Sequence, residues 1–267
     1  ECSTEPIHCF HQRRFMTVSD VVFRVVATSP GNQRLRVEIE VSAPFTSPSL
    51  KLSFPRWVPG SYFLREPIQH VSHLEAHDER GNPLKVVRKE VDSIVIKDVQ
   101  SVETVRICYL LLCVDNTVRS NHFDETHLHL MPPFTWFLPV SGIAMNRMNM
   151  PHQVEFILPS AWNVSTQLAL QDVQKRDDGR LHVFIAEHRD ALLDGIAECN
   201  ENEIHQFTVD GRHHSLHYWD AGGHAPNQVM LQRFIEDMKR IIAEHHAVFG
   251  PLEEPYHTIL HLTDGGR

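Results

Sequence analysis

Short runs of alternating apolar and polar residues place the strongest constraint on how this 267-residue chain can fold. They extend from Val18 to about Ile185, and the clearest run lies at positions 35–41, where Leu, Val, Ile and Val alternate with Arg, Glu and Glu. Successive side chains of a β-strand point to opposite faces, so such a run predicts a strand with one buried face and one wet face. Turn-forming pairs such as Gly81-Asn82 and Asp178-Gly179 separate the runs. The pattern predicts a mainly β first domain, built as an antiparallel β-sandwich or a saddle-shaped sheet.

The pattern changes after Asp194. A hairpin around Asp210-Gly211 is predicted first, and positions 226–249 then carry apolar residues at the period of an α-helix. Asn227 or Pro226 fits the start of that helix, and Gly250-Pro251 ends it. A strand over 256–262 follows, so the chain closes with the strand-helix-strand order of an α/β unit.

That terminal unit is expected to be incomplete by itself. The apolar stripe of its helix and the two apolar faces of its last strand need covering layers. The exposed surface would be closed by another copy of the chain, which gives a homo-oligomer, by the first domain or by aggregation.

The charge and the cysteine content exclude several classes of protein. A formal net charge of −9 and a pI near 6.1 argue against a nucleic-acid partner, because phosphate binding needs a basic face. No apolar run approaches the roughly 18 to 20 residues that cross a bilayer, so no membrane partner is expected. Five cysteines without a C-x-x-C pair favour a reducing compartment. The expected location is the cytoplasm, or the periplasm if a signal segment was removed.

The run from Pro55 to Glu66 predicts a structural corner between two strands. Pro59-Gly60 favours a type II turn, because proline presets φ and glycine accepts the positive φ that follows. Trp57 and Tyr62 flank this turn, and a buried Trp57 indole would make the corner part of the core. The last two residues of the run, Arg65-Glu66, are expected to pair as a clamp behind the turn, with contact to a substrate as the alternative.

Two later segments, Asp190 to Ile196 and Tyr256 to Gly266, complete a set of three motifs with the run 55–66. In this order the motifs resemble the glycyl aminopeptidase family of zinc metallopeptidases, which are gluzincins that carry a PDZ module. The resemblance extends from about residue 18 to the end. The organisation that it implies is a tail over 1–17 that need not be ordered, a β-rich N-terminal domain over 18–189, and the start of a truncated thermolysin-like α/β catalytic domain over 190–267.

The resemblance implies what the parent enzyme does and what this chain lacks. Family members hold zinc with two histidines and a glutamate, and a glutamate polarises the water that attacks the peptide carbonyl. Such a site needs a His-Glu-x-x-His motif on a helix, and the 267 residues contain no His-Glu dipeptide. The nearest imitation, His73 to His77, has its glutamate one place too late and indicates a solvated strand.

The chain is therefore expected to be the N-terminal portion of an aminopeptidase that is inactive alone, with no catalytic residue and no zinc, although the full-length parent holds zinc. Its expected partners are the remainder of the catalytic domain and the peptide substrate of the parent. The resemblance implies two pairs of substrate-side residues. Gly265 and Gly266 enter a glycine-rich recognition loop, and Asp124 and Glu125 are acidic groups that would touch a substrate amine.

Histidines are frequent, 20 in number, and the densest group lies at 122–129. On a strand, His127 and His129 would point both imidazoles one way, and His122 would return from the preceding turn to complete a three-nitrogen metal site. The pattern resembles the metal strand of cupins, but Met131-Pro132-Pro133 stands where cupins place a glutamate. The alternatives are an ordinary polar strand and a rim that lines the active site of the neighbouring domain.

Two rival functions follow from the same residues. One is a stand-alone β-sandwich metal-binding protein that uses His122, His127 and His129, and the other is a non-catalytic module that binds a peptide or a partner. Outside this group, the histidines at 213–217 are predicted to be exposed after a hairpin turn. His245 and His246 are predicted to lie in the last turns of the long helix, where the helix dipole favours positive charge.

Overall fold

The computed structural model describes residues 19–57, 61–117, 119–224, 227–252 and 255–263. Within these ranges the chain is mainly β, as predicted. The strands, in chain order, are β1 (Val21–Val26), β2 (Arg34–Ser42), β3 (Ser49–Ser53), β4 (Val71–His77), β5 (Val86–Glu90), β6 (Ser93–Lys97), β7 (Thr104–Leu112), β8 (His122–Phe123), β9 (His127–Leu130), β10 (Leu138–Ser141), β11 (His152–Leu158), β12 (Asn163–Thr166), β13 (Ala169–Arg176), β14 (Gly179–Ala186), β15 (Ala197–Asn200), β16 (His205–Val209), β17 (Arg212–Asp220) and β18 (Tyr256–Leu262). The α-helices are α1 (Arg189–Asp194) and α2 (Gln228–Phe249).

A seven-stranded sheet forms the largest layer, with the strand order β13-β14-β11-β1-β2-β7-β4. Its neighbouring strands run antiparallel except β1 and β11, which are parallel. The burial of β2 alternates along the strand as predicted, because every second residue faces the core. On the opposite face, Arg24 of β1 bridges Glu38 of β2 and Glu155 of β11. These charges tie the parallel pair to its antiparallel neighbour.

Two four-stranded sheets, β10-β3-β6-β5 and β12-β15-β9-β8, share one apolar core with the large sheet. Aromatic side chains fill the space between the layers. Phe137 meets Phe54 edge to face at 4.8 Å between ring centroids and Tyr109 at 5.4 Å, while Trp136 packs on Phe23 at 5.3 Å. These rings lie in the preferred range for aromatic pairs, so the two smaller sheets are held firmly against the large one.

The last part of the chain forms a three-stranded sheet, β16-β17-β18, against which α2 packs. The predicted hairpin is confirmed, since Asp210 and Gly211 join β16 to β17 with φ of 49° and 76°, as a type I′ turn requires. Both predicted ends of the helix are also confirmed. The Asn227 side chain accepts hydrogen bonds from two first-turn amides, and Gly250 follows the last turn with a φ of 81°. The strand over Tyr256–Leu262 is confirmed and pairs in parallel with β17.

The described residues have two apolar clusters, one in the first three sheets and one beneath α2. The second cluster is small and consists of six buried residues, Phe207, Val209, Leu216, Tyr218, Leu231 and Ile235. The predicted domain limits of 18–189 and 190–267 remain a prediction. None of the helices in the described part of the chain is long and apolar enough to cross a membrane.

The predicted structural corner is not part of the core. The Trp57 side chain is 53% exposed and Tyr62 is 98% exposed. Trp57 and Tyr62 lie at the surface, and the indole N–H of Trp57 donates to the backbone carbonyl of Ser61, 2.7 Å away. A local hydrogen bond therefore replaces the expected burial. Pro59 and Gly60 lie outside the described residues.

The predicted clamp has a different partner. Glu66 pairs with Arg56 and not with Arg65. The backbone N–H of Arg65 donates to the carbonyl of Arg56, 2.9 Å away, so the two ends of the run lie side by side and the next residue reaches Arg56. The backbone at Glu66 is left-handed, with φ of 33° and ψ of 55°, and its side chain meets Arg56 from there.

The predictions for the remaining histidines have mixed outcomes. His73 is exposed, as a solvated strand requires, and lies at a β-bulge with a φ of 51°. His213 is exposed, as predicted, but His214 and His217 are buried. The prediction was wrong for these two because β17 is the central strand of its sheet and is covered on both faces.

Candidate functional site

A buried carboxylate, Glu198 on β15, is the centre of the densest polar cluster in the described residues. Its side chain is fully buried and accepts hydrogen bonds from three imidazoles. His127 Nδ1 lies 2.9 Å from Oε1, while His129 Nδ1 and His261 Nε2 lie 3.2 and 2.9 Å from Oε2. The side-chain amide of Asn200 donates to Oε1 at 3.0 Å. Both carboxylate oxygens are thus fully occupied by N–H donors.

The hydrogen bonds decide the ionisation of Glu198. Burial alone would raise its pKa, but the bonds from His127, His129 and His261 hold the pKa well below its usual range. A carboxylate that is charged and buried must be paired, because an isolated buried charge is very costly. The N–H groups of the three imidazoles therefore stabilise the buried charge of Glu198.

Three strands from two sheets bring the cluster together. β9 and β15 are antiparallel neighbours, with Glu198 directly opposite His129 and Asn200 opposite His127. Alternation then places the four side chains on the same face of the sheet. His261 comes from β18 in the terminal sheet. The cluster therefore joins the first three sheets to the terminal unit through one carboxylate.

An indole fixes the orientation of His127. The ring of Trp219 stacks on the His127 ring with 3.6 Å between centroids and 5° between planes. The indole N–H donates to Thr126 Oγ1, 2.9 Å away. The imidazole is thus held between an aromatic face and the carboxylate of Glu198, which leaves it little freedom to rotate.

The other ring nitrogen of His127 faces a second histidine. His127 Nε2 lies 2.7 Å from His122 Nδ1 on β8, and His122 Nδ1 lies 3.9 Å from Asp124 Oδ2. Asp124 Oδ1 accepts hydrogen bonds from the backbone N–H and the hydroxyl of Thr126 and from the backbone N–H of His127. These bonds immobilise the carboxylate with Oδ2 directed towards His122.

Burial and hydrogen bonds set the charges of this outer group as well. Burial and the neighbouring His127 lower the pKa of His122, so His122 is neutral at neutral pH. Burial would raise the pKa of Asp124, but the hydrogen bonds from Thr126 lower it overall, so Asp124 is ionised. The pair of imidazoles therefore faces a negative charge.

The prediction that His127 and His129 point the same way agrees with the structure, since both reach Glu198. The proposed three-nitrogen set does not. Within the described residues, potential ligand atoms approach within 4.8 Å of one another in the sets His122, Asp124, His127 and His127, Glu198, His261. His129 belongs to neither set because it lies across the carboxylate, and its Nε2 is buried without a partner in the described part of the chain.

Glu198 and His261 are the residues that sequence analysis missed. They are separated from each other by 63 positions, and Glu198 is 71 positions from His127. Glu198 lies on a neighbouring strand, opposite His129, and not in the segment that follows the two histidines. No local spacing signals such an arrangement, because strand pairing and not sequence distance brings the groups together.

The predicted substrate-side residues have different environments. Glu125 is exposed, and Asp124 is half-buried and engaged by its own loop. Gly265 and Gly266 lie outside the described residues.

A second polar contact lies beside the cluster. The hydroxyl groups of Ser215 and Ser165 lie 2.7 and 3.2 Å from His257 Nδ1. Burial lowers the pKa of His257, so the neutral ring accepts from a hydroxyl. Both serines are buried, which makes this contact a hydrogen-bonded link between β12, β17 and β18.

Comparison with known proteins gives one family and several related folds. Residues 23–195 match the model of the Peptidase M61 N-terminal domain. The chain is similar to the crystal structure of an aminopeptidase N family protein from Idiomarina loihiensis, with a TM-score of 0.78 and 20% identity over 92% of this chain and 40% of that protein. It is also similar to a mutant M1 zinc metallopeptidase from Deinococcus radiodurans bound to a Tyr-Ser-Ala substrate, with a TM-score of 0.51 and 12% identity over 91% of this chain and 56% of that protein.

At these identities the similarity to solved structures concerns the fold alone. The chain spans less than two thirds of the length of both proteins. None of the curated protein sequences matches the chain significantly.

Proposed function

The chain belongs to the Peptidase M61 N-terminal domain family, and from this we propose that it is the N-terminal part of a zinc-dependent aminopeptidase of the glycyl aminopeptidase type, with a PDZ module in the parent. The family match over residues 23–195 carries the proposal. The fold shared with an aminopeptidase N family protein supports it. In this proposal the chain shapes one side of the substrate cleft, and the catalytic centre lies in the remainder of the parent.

The residues present do not fit the catalytic zinc of such an enzyme. That metal polarises the water that attacks the peptide bond, and its ligands come from a His-Glu-x-x-His helix. The 267 residues contain no His-Glu dipeptide. We therefore propose that the chain by itself does not release amino acids from peptides.

Glu125 is the proposed contact for the substrate amine. An aminopeptidase must hold the positively charged N-terminus of its peptide, and a carboxylate does so through a charge-assisted hydrogen bond. Glu125 is exposed beside the polar cluster, whereas Asp124 Oδ1 is occupied by Thr126. Of the two predicted acidic residues, Glu125 is the more exposed, so it is the proposed contact.

The proposal is tested by comparing two proteins: this chain, and the same chain extended by the residues that follow it in its gene. The extended protein is expected to release N-terminal residues from peptides in a zinc-dependent reaction, and the present chain is expected to release none. Activity of the purified present chain that a chelator removes would contradict the expected inactivity. An extended protein without aminopeptidase activity would refute the function.

The role of Glu125 is tested in the extended protein. Glu125→Gln is expected to raise KM for peptides at least tenfold, which corresponds to about 1.4 kcal/mol of lost binding. Glu75→Gln is the matched control, because Glu75 is an exposed glutamate on β4, an edge strand of the large sheet, whereas Glu125 lies between β8 and β9 of another sheet. Equal KM values for the two variants would remove Glu125 from the substrate site and leave the rest of the proposal intact.

A further inference from the structure

We propose that His122, Asp124 and His127 form a binding site for a divalent first-row transition-metal ion, oriented by Glu198 from behind. The site lies wholly within this chain and does not depend on the proposed aminopeptidase function. Two imidazole nitrogens and one carboxylate oxygen, with water in the remaining position, are a ligand set that zinc and its neighbours accept.

The positions of the ligand atoms carry the proposal. His122 Nδ1 and His127 Nε2 are 2.7 Å apart, and Asp124 Oδ2 is 3.9 Å from His122 Nδ1. Around a tetrahedral ion with bonds of about 2.0–2.1 Å, neighbouring ligand atoms are about 3.3 Å apart. The observed separations lie on either side of that value. Each separation would have to change by about 0.6 Å to reach it, the first lengthening and the second shortening.

The hydrogen bonds on the far side of His127 point to the same conclusion. A histidine that binds a metal usually donates its other ring N–H to a carboxylate, which fixes the ring and its tautomer. His127 Nδ1 lies 2.9 Å from the buried carboxylate of Glu198. With the proton on Nδ1, the lone pair of Nε2 is directed at His122. At 2.7 Å this nitrogen can accept the His122 N–H, or the two nitrogens can bind one cation between them.

The carboxylate of Asp124 is also positioned to bind a cation. Three hydrogen bonds from Thr126 and His127 occupy Oδ1, so Oδ2 remains to meet a cation. The side chain is 23% exposed, whereas His127 is fully buried. An ion can therefore enter from solvent at Asp124 and reach the buried nitrogen, which gives the site an open side and a fixed side.

The second set of converging groups, Glu198 with His127 Nδ1 and His261, is less suited to an ion. The oxygens of Glu198 already accept four N–H donors, three from imidazoles and one from Asn200. A metal there would have to displace these bonds in a closed space. The same bonds hold Glu198 in place as the carboxylate that accepts the Nδ1–H of His127.

The test uses the purified, chelator-treated chain and Zn²⁺ alone as the probe, with isothermal titration calorimetry as the readout. The chain is expected to bind one Zn²⁺ in the micromolar range or tighter. His122→Phe keeps an aromatic side chain but has no ring nitrogen, and it is expected to abolish this binding. Asp124→Asn keeps the Oδ1 acceptor that Thr126 needs, and it is expected to weaken binding at least tenfold.

The matched control is His224→Asn. His224 is also a histidine beside an aspartate, with Nδ1 3.8 Å from Asp220 Oδ2, but it is exposed. This variant is expected to bind Zn²⁺ as tightly as the unsubstituted chain does. Circular dichroism of each variant checks that the β fold is retained, and the conservative Asp124→Asn change keeps the test valid if His122→Phe fails to fold.

Three results would overturn the proposal. The first is the absence of saturable Zn²⁺ binding by the unsubstituted chain. The second is binding that is unchanged in folded His122→Phe and Asp124→Asn, or is weakened as much by His224→Asn. The third is loss of binding in His261→Phe with retention in His122→Phe, which would assign the ion to the Glu198 set instead.

Discussion

The first three sheets and the terminal unit bury their apolar residues to very different extents. In the first region, strands from three sheets contribute to one continuous core in which large rings such as Phe156 are fully buried. In the terminal unit, α2 is 22 residues long but buries only Leu231 and Ile235. Met238, Ile242 and Ala243 are partly buried against the same cluster. Towards its two ends the helix leaves apolar residues exposed, including Val229 (79%), Val248 (72%) and Phe249 (81%).

The difference shows that the period of a helix and the covering of that helix are separate properties. Apolar spacing predicted α2 correctly, with both of its ends. Covering depends on which layers lie against the helix, and in the described residues only the three-stranded sheet does so. The stability of the terminal unit should therefore depend on few contacts, and that of the first region on many.

The largest expected effect tests this comparison with the same substitution in both regions. Phe156→Ala should lower the free energy of unfolding by about 3–5 kcal/mol, because Phe156 is fully buried and packs edge to face on Phe184 at 5.6 Å. Phe249→Ala should change it by about 0.5 kcal/mol or less. Urea denaturation of both variants measures the two values. Similar losses would mean that the exposed end of α2 is covered in solution.

A smaller effect concerns pH. Burial, and then the charge of Arg180, lower the pKa of His182 on β14 to about 4. His182 is thus neutral in the fold and takes up a proton on unfolding below about pH 6.5. Stability is complete above pH 6.5 and is lost as the pH falls towards 4, by at most about 1.4 kcal/mol per pH unit and about 3 kcal/mol in total.

His182→Leu should therefore flatten the pH dependence of stability between pH 6.5 and 4.5. Thermal denaturation at several pH values measures the slope of stability against pH. At pH 8, His182 is neutral in the folded and in the unfolded chain, so the difference in stability between the variant and the unsubstituted chain isolates the packing effect. Parallel curves for the two proteins over this range would show that folding does not lower the pKa of His182. Any acid sensitivity would then come from other histidines whose pKa burial lowers, such as His152 on β11 and His217 on β17.

The smallest effect concerns the start of α2. Asn227→Ala removes the side chain that accepts the first-turn N–H groups and should cost about 1 kcal/mol. Asn227→Asp keeps the acceptor and should have little effect or stabilise the helix. Hydrogen exchange of the first turn distinguishes the variants. Loss of hydrogen-exchange protection that extends to β11 would mean that the terminal unit and the first region unfold together, which would contradict their separate stabilities.

Sequence patterns predicted local structure well and long-range structure poorly. The alternation in β2, the hairpin at Asp210-Gly211 and the cap at Asn227 are set by a few neighbouring residues, and each was predicted. The exposure of Trp57 was not predictable from its motif, because a proline and glycine turn specifies the shape of the backbone but not which side chains pack on it.

The candidate site divides in the same way. His122, Asp124 and His127 lie within six positions, so they could be recognised as a group. Glu198 and His261 belong to other strands, and their contact with His127 exists only after two sheets have met. A sequence pattern therefore identifies the residues of one hairpin, β8 to β9, but not the carboxylate that orients them.

The parallel pairing of β1 with β11 has a consequence for how the chain is made. Arg24 on β1 and Glu155 on β11 are 131 residues apart, so β1 lacks this neighbour until the later strand has been synthesised. At about 5–20 residues per second, translation takes roughly 7–26 s to cover that distance. During this interval one edge of a strongly apolar strand is unpaired, and such edges template aggregation. A nascent chain of this protein should therefore depend on chaperones most while residues 27–150 emerge from the ribosome.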